Sequence, residues 1–528
     1  MFYKHALILL RKKLLLIVAL GCCFPVMIRA QRSVDSKSPG SGSVTITVDI
    51  SKRYQSIDNF AASDAWACQF VGNWPDEKRN AIADLLFSKK LLPNGKPQGI
   101  GLSMWRFNIG AGSTQQRSES GIKDEWRRAE SFFEKGQFNW KLQAGQMWFL
   151  EAAKKRGVDQ FLAFTNSPPV HLTANGKAFA TGAKPNLHSD NFDAFAEFLV
   201  EVVKGVKNKT GVLFNYLSPV NEPQWDWSDG GQEGTPFLNK DVSGIVRSLN
   251  DALIKAKLNT KIAVAEAAQY DFLYSDFEKP GKGQQINTFF NPSSADFIGD
   301  LLKVDKVISG HSYFTTSPYN KAERTRKEVK ERISLVNGLK FWQSEYCILG
   351  DNEGEIKGEK RDLGIRSGIY LAKVIHNDLV NANASAWHWW TAVSAYDYKD
   401  GLVYVDKNIA GGEYYQSKML WVLGNYSRFI RPGAARVDVN IPKISRKNEI
   451  LVSSFIDQQN KELITVLVNH GFKPVNVSLH LNKGKLVNQN RYVTSEDLDL
   501  EPNRVLDASG EIKLEAQTVT TLVSEIKY

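Results

Sequence analysis

The stretch FNYLSPVNEP, residues 214–223, is typical of a β-strand that runs into a polar loop, with Glu222 placed between two prolines. Other short apolar runs of this kind begin at residues 57, 102, 160, 261, 306, 340 and 384. Between them lie longer segments whose apolar residues recur three and four apart, as in helices. Eight alternating strands and helices predict an α/β fold, a TIM (β/α)8 barrel over residues 57–428.

The pattern changes after RPGA, residues 431–434, to short strands separated by Asn, Gly, Lys and Pro. No long helical pattern follows, which predicts a C-terminal β-sandwich side domain over residues 429–528. Near the other end, VTITVDI alternates polar and apolar residues as a strand does. We expect residues 44–56 to join the sheet of the C-terminal domain.

Residues 1–30 are typical of a secretory signal peptide, with basic residues, the apolar run LLLIVAL and a small residue at Ala30. Lipid anchoring at Cys22 is an alternative, although Leu20 stands where a smaller residue is more usual. Residues 31–43 are rich in Ser and Gly and predict a flexible leader. No later segment is apolar enough to span a bilayer, so a secreted, periplasmic or cell-surface protein is expected.

The charge and the metal-ligand types exclude several classes of protein. The formal charge is +10, and removing the five basic residues of the signal segment leaves +5, without a basic cluster that would indicate nucleic acid binding. Cys68 and Cys347 remain after cleavage, and the sequence leaves open whether they pair. Neither they nor His171 and His188 have metal-ligand spacing, so we expect no metal and no cofactor.

Two glutamates occupy positions that suggest chemistry. Reactive residues of TIM barrels gather at the C-terminal ends of the strands. Glu222 ends the fourth predicted strand, and Glu345 ends the seventh, in FWQSEYC. Two carboxyl groups across a barrel mouth suit glycoside hydrolysis, in which one protonates the leaving oxygen while the other attacks or assists at the anomeric carbon. Glu266, on the fifth strand, is expected to be buried in a supporting role.

Alternate residues of a barrel strand face the interior, so Glu345 is expected to share its inward face with Gln343 and Phe341. The same rule directs polar and aromatic side chains of the second, sixth and eighth strands towards the mouth: Arg106, His311, Tyr313, Trp387 and Trp389. An arginine and a tyrosine hydroxyl would hold Glu345 ionised and oriented. The two tryptophans are a candidate flat wall for a sugar ring.

The motifs RFNIGAGS, NSPP, VNEP, HSY, SEY and RPGA occur in this order, and together they resemble glycoside hydrolase family 30. The resemblance implies a retaining barrel glycosidase in which Glu222 is the general acid/base and Glu345 the nucleophile. It also implies residues that bind the sugar or support the nucleophile: Asn221, Arg106, His311, Tyr313, Trp387, Trp389, Asn166 and Trp225. The substrate implied is a polysaccharide or oligosaccharide.

The segments WRFNIGAGS and FLAFTNSPP are most similar to the branch of this family that cleaves β-1,6-linked galactan. The expected activity is therefore that of an endo-β-1,6-galactanase. Other branches act on β-1,6-glucan, glucuronoxylan, β-glucosides including glucosylceramide, or β-fucosides, and these alternatives stay open. Val170 stands where family members often carry Trp, which implies a reshaped sugar subsite.

A non-catalytic glycan-binding protein is the alternative from another class. It is disfavoured because both glutamates are present, whereas a degenerate barrel would be free to lose one. The sequence leaves endo or exo action open, since the long loops after the second and fourth strands decide the shape of the cleft.

Overall fold

The computed structural model describes residues 43–442, 450–503 and 511–527. Residues 1–42 lie outside the described ranges. They include the predicted signal peptide, the alternative anchor at Cys22, and the predicted leader except for residue 43. Within these three ranges, each helix is too short or too polar to cross a membrane. Cys68 and Cys347 are both buried and free.

Eight parallel strands form a closed barrel. In chain order these first to eighth barrel strands are Asn59–Ser63, Met104–Asn108, Gln160–Phe164, Tyr216–Ser218, Lys261–Ala267, Val304–His311, Lys340–Glu345 and Ala386–Trp389. Each of the eight predicted runs overlaps one of them. The predicted TIM barrel is therefore confirmed.

A helix follows each barrel strand and covers its outer face. The helices are Asp76–Phe87, Ala144–Lys155, Phe192–Thr210, Asn239–Lys255, Gln285–Phe290, Tyr319–Ser334, Ile365–Val380 and Lys418–Ser427, with shorter ones at Cys68–Val71, Ser113–Gln116 and Asp271–Tyr274. In the third of the main helices, Phe195, Leu199 and Val202 recur three and four apart and are buried. This helix ends at Gly211, whose left-handed φ of 68° terminates helices readily.

The lower part of the barrel is filled by large side chains. The rings of Tyr216 and Trp342 lie 4.8 Å apart. Their strands are not neighbours in the barrel order, so the two rings meet through its interior. The packing closes one end of the barrel and leaves the C-terminal strand ends as the mouth.

The prediction that Phe341 shares the inward face of the seventh strand with Glu345 is wrong. Trp342 points inwards, whereas Phe341 points outwards, where its ring lies 5.1 Å from that of Tyr270. The pairing with the sixth strand shifts register between Gln343 and Glu345. Such an irregularity inserts a residue and re-aims the side chain that follows it. Glu345 reaches the mouth because of this shift.

Eight C-terminal strands and the N-terminal strand Val44–Ser56 form one nine-stranded sheet. Its spatial order is Glu501–Pro502, Lys485–Thr494, Thr518–Lys527, Glu462–Asn469, Ile450–Asp457, Ala435–Asn440, Val44–Ser56, Val475–Leu481 and Ile512–Leu514. The N-terminal strand pairs antiparallel with Ala435–Asn440 and parallel with Val475–Leu481. A second apolar core, which includes Ile46 and Leu467, belongs to this β-rich domain.

The sheet packs on the last barrel helix. The side chains of Asn425 and Thr521 are hydrogen-bonded at 3.0 Å, and the hydroxyl of Thr521 also donates to the backbone oxygen of Asn425 at 2.7 Å. The rings of Phe429 and Tyr492 lie 4.5 Å apart beside this contact. The domain thus braces the outside of the barrel, away from the strand ends that form the mouth.

Candidate active site

Glu222 and Glu345 meet at the mouth of the barrel. Glu222 lies four residues beyond the fourth strand with a left-handed φ of 45°, and Glu345 is the last residue of the seventh. The two residues are only 6% and 4% exposed. One oxygen of each lies, together with Nδ1 of His311, in a group of atoms that are all within 4.8 Å of one another. The sequence-predicted pair is brought together.

Arg106 and Tyr313 hold Glu345. Nη1 of Arg106 donates to Oε2 of Glu345 at 2.5 Å, and the hydroxyl of Tyr313 donates to Oε1 at 3.1 Å. Arg106 is fully buried, and its guanidinium carbon lies 3.8 Å from the ring centre of Phe164. Two donors on two oxygens fix the orientation of the carboxylate and stabilise its negative charge.

His311 connects the acidic groups. Its Nδ1 lies 2.8 Å from Oε1 of Glu222, and its Nε2 lies 2.9 Å from Oε2 of Glu266. Burial opposes a charge on the imidazole, but the charge of Glu345 and the bonds to the other two glutamates raise its pKa to about 10. His311 is therefore an imidazolium near neutral pH, with both nitrogens able to donate.

Glu222 has the protonation behaviour of an acid. Burial raises the pKa of its carboxyl group. The hydrogen bond and charge of His311 oppose this rise, and the negative charge of Glu345 adds to it. A raised pKa keeps the proton on a carboxyl group at a pH where ordinary glutamates have lost it, which general acid catalysis requires.

Glu266 is the buried counter-ion of the site. Besides His311, its Oε2 accepts hydrogen bonds from Arg106 at 3.3 Å and from the hydroxyl of Ser344 at 2.8 Å. Burial alone would raise its pKa, but the charge of Arg106 and the bond from His311 lower it to about 2. The expected supporting role of Glu266 agrees with this placement.

Replacing Glu266 by Gln should lower the free energy of unfolding by about 3–5 kcal/mol at neutral pH, because it leaves buried cations with one anion fewer. The folded-state pKa of Glu266 is about 2, below the ordinary value of about 4.3. Its contribution is present above the ordinary value and is lost as the pH falls through the folded one. Urea unfolding of both proteins from pH 7 down to 2 measures the difference.

The difference between the two proteins should therefore narrow as the pH falls from about 4 towards 2. Replacement of the exposed Glu125 by Gln is the matched control, and it should leave the free energy of unfolding unchanged. A difference that stays constant over this pH range would contradict the role given to Glu266.

A chain of amides adjoins Arg106. Oδ1 of Asn221 accepts from Nη2 of Arg106 at 3.1 Å, and Nδ2 of Asn221 donates to Oδ1 of Asn166 at 3.1 Å. Asn166 donates in turn to Oδ1 of Asn108 at 3.3 Å. The structure thus connects the sequence-predicted Asn221 and Asn166 to Arg106, with the orientations of both amides fixed by their neighbours.

The structure does not bring Trp387 and Trp389 to the mouth, which corrects their expected place as a wall for the sugar. Both are fully buried. Trp387 points outwards, where its indole nitrogen donates to Asp378 of the helix Ile365–Val380 at 2.9 Å. Trp389 donates to the backbone oxygen of Asp400 at 2.8 Å. Both rings are part of the buried core around the eighth strand, where large aromatic side chains most often lie.

Trp390 takes the expected place instead. Its ring centre lies 6.0 Å from the guanidinium carbon of Arg106 and 5.0 Å from the ring of Trp66. It follows the eighth strand directly, so the rule that functional residues gather just beyond the strand ends would have found it.

Asp64 is a second residue that the sequence reasoning missed. It directly follows the first strand, is buried, and accepts hydrogen bonds on Oδ1 from the backbone N–H of Asn108 at 2.8 Å and from Gln146 at 3.1 Å. Burial raises its pKa to about 8. Its Oδ2 has no partner among the described side chains. Its place in ASDAW, at a strand end, was the available signal.

Glu222, His311 and Glu345 also have the donor types of a metal site. Both ring nitrogens of His311 are already hydrogen-bonded to glutamates, Nδ1 to Glu222 at 2.8 Å and Nε2 to Glu266 at 2.9 Å. Arg106 already supplies a positive charge to Glu345 at 2.5 Å. These hydrogen bonds connect the three side chains to Arg106 and Glu266.

The mouth of a (β/α)8 barrel here contains two close carboxyl groups, one held by Arg106 and Tyr313 and the other with a raised pKa, and this arrangement defines a glycoside hydrolase. The chain belongs to O-Glycosyl hydrolase family 30, whose family model matches residues 43–404.

Known proteins similar to this chain agree with the family. An endo-β-1,6-galactanase of Hypocrea rufa is 24% identical over 447 residues, which cover 81% of each chain. A glucuronoxylanase of Bacillus subtilis is 25% identical over 390 residues, covering 71% of this chain and 77% of the relative. The solved structure of a conserved exported protein from Bacteroides fragilis is 33% identical, with a TM-score of 0.83, and the match covers 91% of this chain and 100% of that chain.

Proposed function

We propose that this family 30 hydrolase is a secreted, retaining endo-β-1,6-galactanase. The distance between the carboxyl groups carries the retaining mechanism. One oxygen of Glu222 and one of Glu345 lie within 4.8 Å of each other. Retaining enzymes place the two groups about 5–5.5 Å apart, whereas inverting enzymes need about 6.5–9.5 Å to admit a water molecule.

In the first step, Oε of Glu345 attacks the anomeric carbon while the bond to the leaving oxygen breaks. Glu222 gives its proton to that oxygen, and a covalent glycosyl-enzyme forms. Glu222, now ionised, is stabilised by the imidazolium of His311 at 2.8 Å. This contact lets the acid lose its proton within a buried site.

In the second step, Glu222 takes a proton from water, and the water oxygen attacks the same carbon and releases Glu345. Two displacements restore the original configuration of the sugar. Arg106 and Tyr313 stabilise the carboxylate as it leaves, because their hydrogen bonds to Glu345 are in place beforehand. Asn221 is the proposed partner of the sugar 2-hydroxyl, since it directly precedes Glu222 and its side chain accepts a hydrogen bond from Arg106, which also binds Glu345.

For the substrate, the proposal follows the motifs WRFNIGAGS and FLAFTNSPP and is supported by the likeness to the galactanase of Hypocrea rufa. The glucuronoxylanase of Bacillus subtilis is less well covered. Export is proposed from the signal-like segment and from the likeness to an exported protein. Val170, which is half-buried, stands where family members often carry Trp, so the sugar subsite built on that ring is proposed to be reshaped.

The test is a panel of β-1,6-galactan, β-1,6-glucan, glucuronoxylan, β-glucosides and β-fucosides, with the products sized by chromatography. We expect β-1,6-galactan to be hydrolysed fastest, with oligosaccharides of several lengths appearing early, as internal cleavage requires. Activity confined to glucuronoxylan would overturn the galactan assignment, and release of single galactose units alone would overturn the endo action.

A further inference from the structure

Aromatic side chains lie on both sides of the carboxylate pair. Trp66 and Trp390 come from just beyond the first and eighth strands. A second group comes from the loops after the fourth, fifth and sixth strands: Trp225, Phe272, Phe277 and Phe314. In the closed order of the barrel, the first and eighth strands stand opposite the fifth and fourth. The two aromatic groups therefore flank the mouth.

Phe314 is the most informative member of the second group. It directly follows Tyr313, whose hydroxyl bonds to Glu345, and it is 48% exposed. Its φ of 60° is left-handed, a conformation that bulky residues rarely adopt. The backbone thus holds an apolar ring in solvent beside the nucleophile, at a conformational cost that burial of the ring does not offset.

Trp225 ties the same group to the acid. Its backbone N–H donates to the backbone oxygen of Glu222 at 3.2 Å, and its ring stands perpendicular to that of Phe314 with the centres 5.9 Å apart. The ammonium group of Lys279 lies 4.9 Å from the ring centre of Trp225 and donates to the backbone oxygen of Gln224 at 2.7 Å. The half-buried indole is therefore held in place before any ligand arrives.

The exposure of these rings is not a general property of the surface. In the described ranges, the exposed phenylalanines are Phe277, Phe314 and Phe472. Two of the three belong to this group, since Phe277 packs at 5.5 Å against Phe272, which contacts Trp225. A concentration of exposed apolar rings beside a reactive centre indicates a binding surface. Aromatic faces suit the C–H faces of sugar rings.

We propose that Phe314 and Trp225 form a platform that binds the leaving-group part of the glycan chain. The proposal rests on the hydrolase function proposed above. Glu222 delivers its proton to the leaving oxygen, so the sugars released first lie where the loop of Glu222 continues into Trp225. With Trp66 and Trp390 on the opposite side, the chain is held on both sides of the bond that breaks, and the enzyme cuts within polymers.

The experiment compares two substrates that differ in the leaving group. β-1,6-Galactan has sugars on both sides of the scissile bond, whereas the β-fluoride of β-1,6-galactobiose has no sugar beyond it. Replacing Phe314 by Ala should lower kcat/KM on galactan about tenfold, while that on the fluoride stays within about twofold. Phe314→Gly should behave in the same way and fits the left-handed backbone, so it protects the test against misfolding.

The matched control is Phe472→Ala, which removes a phenylalanine that is 88% exposed in the β-rich domain and should change neither rate. Equal losses on galactan and fluoride, or no loss on galactan, would overturn the platform while leaving the galactanase function intact. A wild type that hydrolyses neither substrate would overturn the galactanase function, and the platform with it.

Discussion

Replacing Glu345 by Gln is expected to lower kcat/KM on β-1,6-galactan by at least about a thousandfold. The amide has nearly the shape of the carboxylate, and its single oxygen can still accept the hydrogen bond from Arg106 while its NH2 group faces the hydroxyl of Tyr313. It cannot form the covalent glycosyl-enzyme. Initial rates on galactan measure the effect, and thermal unfolding of the variant shows whether the fold is kept. A variant that keeps more than about a hundredth of the activity would exclude Glu345 as the nucleophile.

Azide provides the matched control for this substitution. In Glu345→Ala, a small cavity opens on the side of the sugar that the nucleophile faced. Azide entering there should attack in a single displacement, so that an activated β-galactoside yields the α-galactosyl azide. Formation of the β-azide would show that the cavity lies on the wrong side of the sugar, and hence that the roles of the two glutamates are exchanged.

Replacing Glu222 by Ala should lower kcat/KM on galactan by about 10²–10⁴-fold, because the leaving oxygen no longer receives a proton. Substrates with a good leaving group need little protonation, so they should still form the glycosyl-enzyme rapidly and then release it slowly. A burst of leaving group followed by a slow steady state, measured by stopped flow, is the expected signature. Equal losses on galactan and on activated substrates would contradict the acid/base role.

The pH profile distinguishes an acid from a merely structural residue. Because burial raises the pKa of Glu222, the wild-type kcat/KM should fall on the alkaline side as this carboxyl group loses its proton. With an activated substrate, Glu222→Ala should lack this alkaline limb.

Azide should accelerate the Glu222→Ala variant by attacking the glycosyl-enzyme. The product should be the β-azide, which is the opposite anomer to that expected from Glu345→Ala.

Most of the correct predictions about the fold and the site followed from counting eight strands in the sequence. This count placed Glu222 and Glu345 at strand ends, and strand ends of a closed barrel meet at one mouth whatever the detailed packing. Arg106, His311 and Tyr313 followed for the same reason. Arg106 and Tyr313 are hydrogen-bonded to Glu345, and His311 is hydrogen-bonded to Glu222.

The predicted side-chain directions were wrong where the alternation of inward and outward residues was assumed to continue to the end of a strand. The register shift after Gln343 turns Glu345 inwards although Phe341 faces outwards. On the eighth strand, Trp387 and Trp389 belong to the outer face, and Trp390, beyond the strand, turns to the mouth. A bulge or a strand end changes the side-chain direction by one residue, which a period of two cannot show.

The ionisation states of the buried acids in the site could not be predicted from the sequence either. Glu266 and Asp64 are both buried acids at strand ends, yet one has a pKa near 2 and the other near 8. The difference comes from the cations Arg106 and His311, which contact Glu266 directly, whereas Asp64 is bonded by neutral donors. Only the three-dimensional arrangement determines which acid stays ionised.

The central claim is that Glu345 forms a covalent bond to the sugar. A 2-deoxy-2-fluoro-β-galactobioside with a dinitrophenyl leaving group should form the glycosyl-enzyme and then hydrolyse it slowly, because fluorine destabilises the positively charged transition states of both steps. Digestion and mass spectrometry of the inactivated protein should find one fluorinated galactobiosyl group on the peptide that contains Glu345. A sugar on a peptide containing Glu222 instead, or turnover to the inverted α-product without a labelled peptide, would contradict the mechanism.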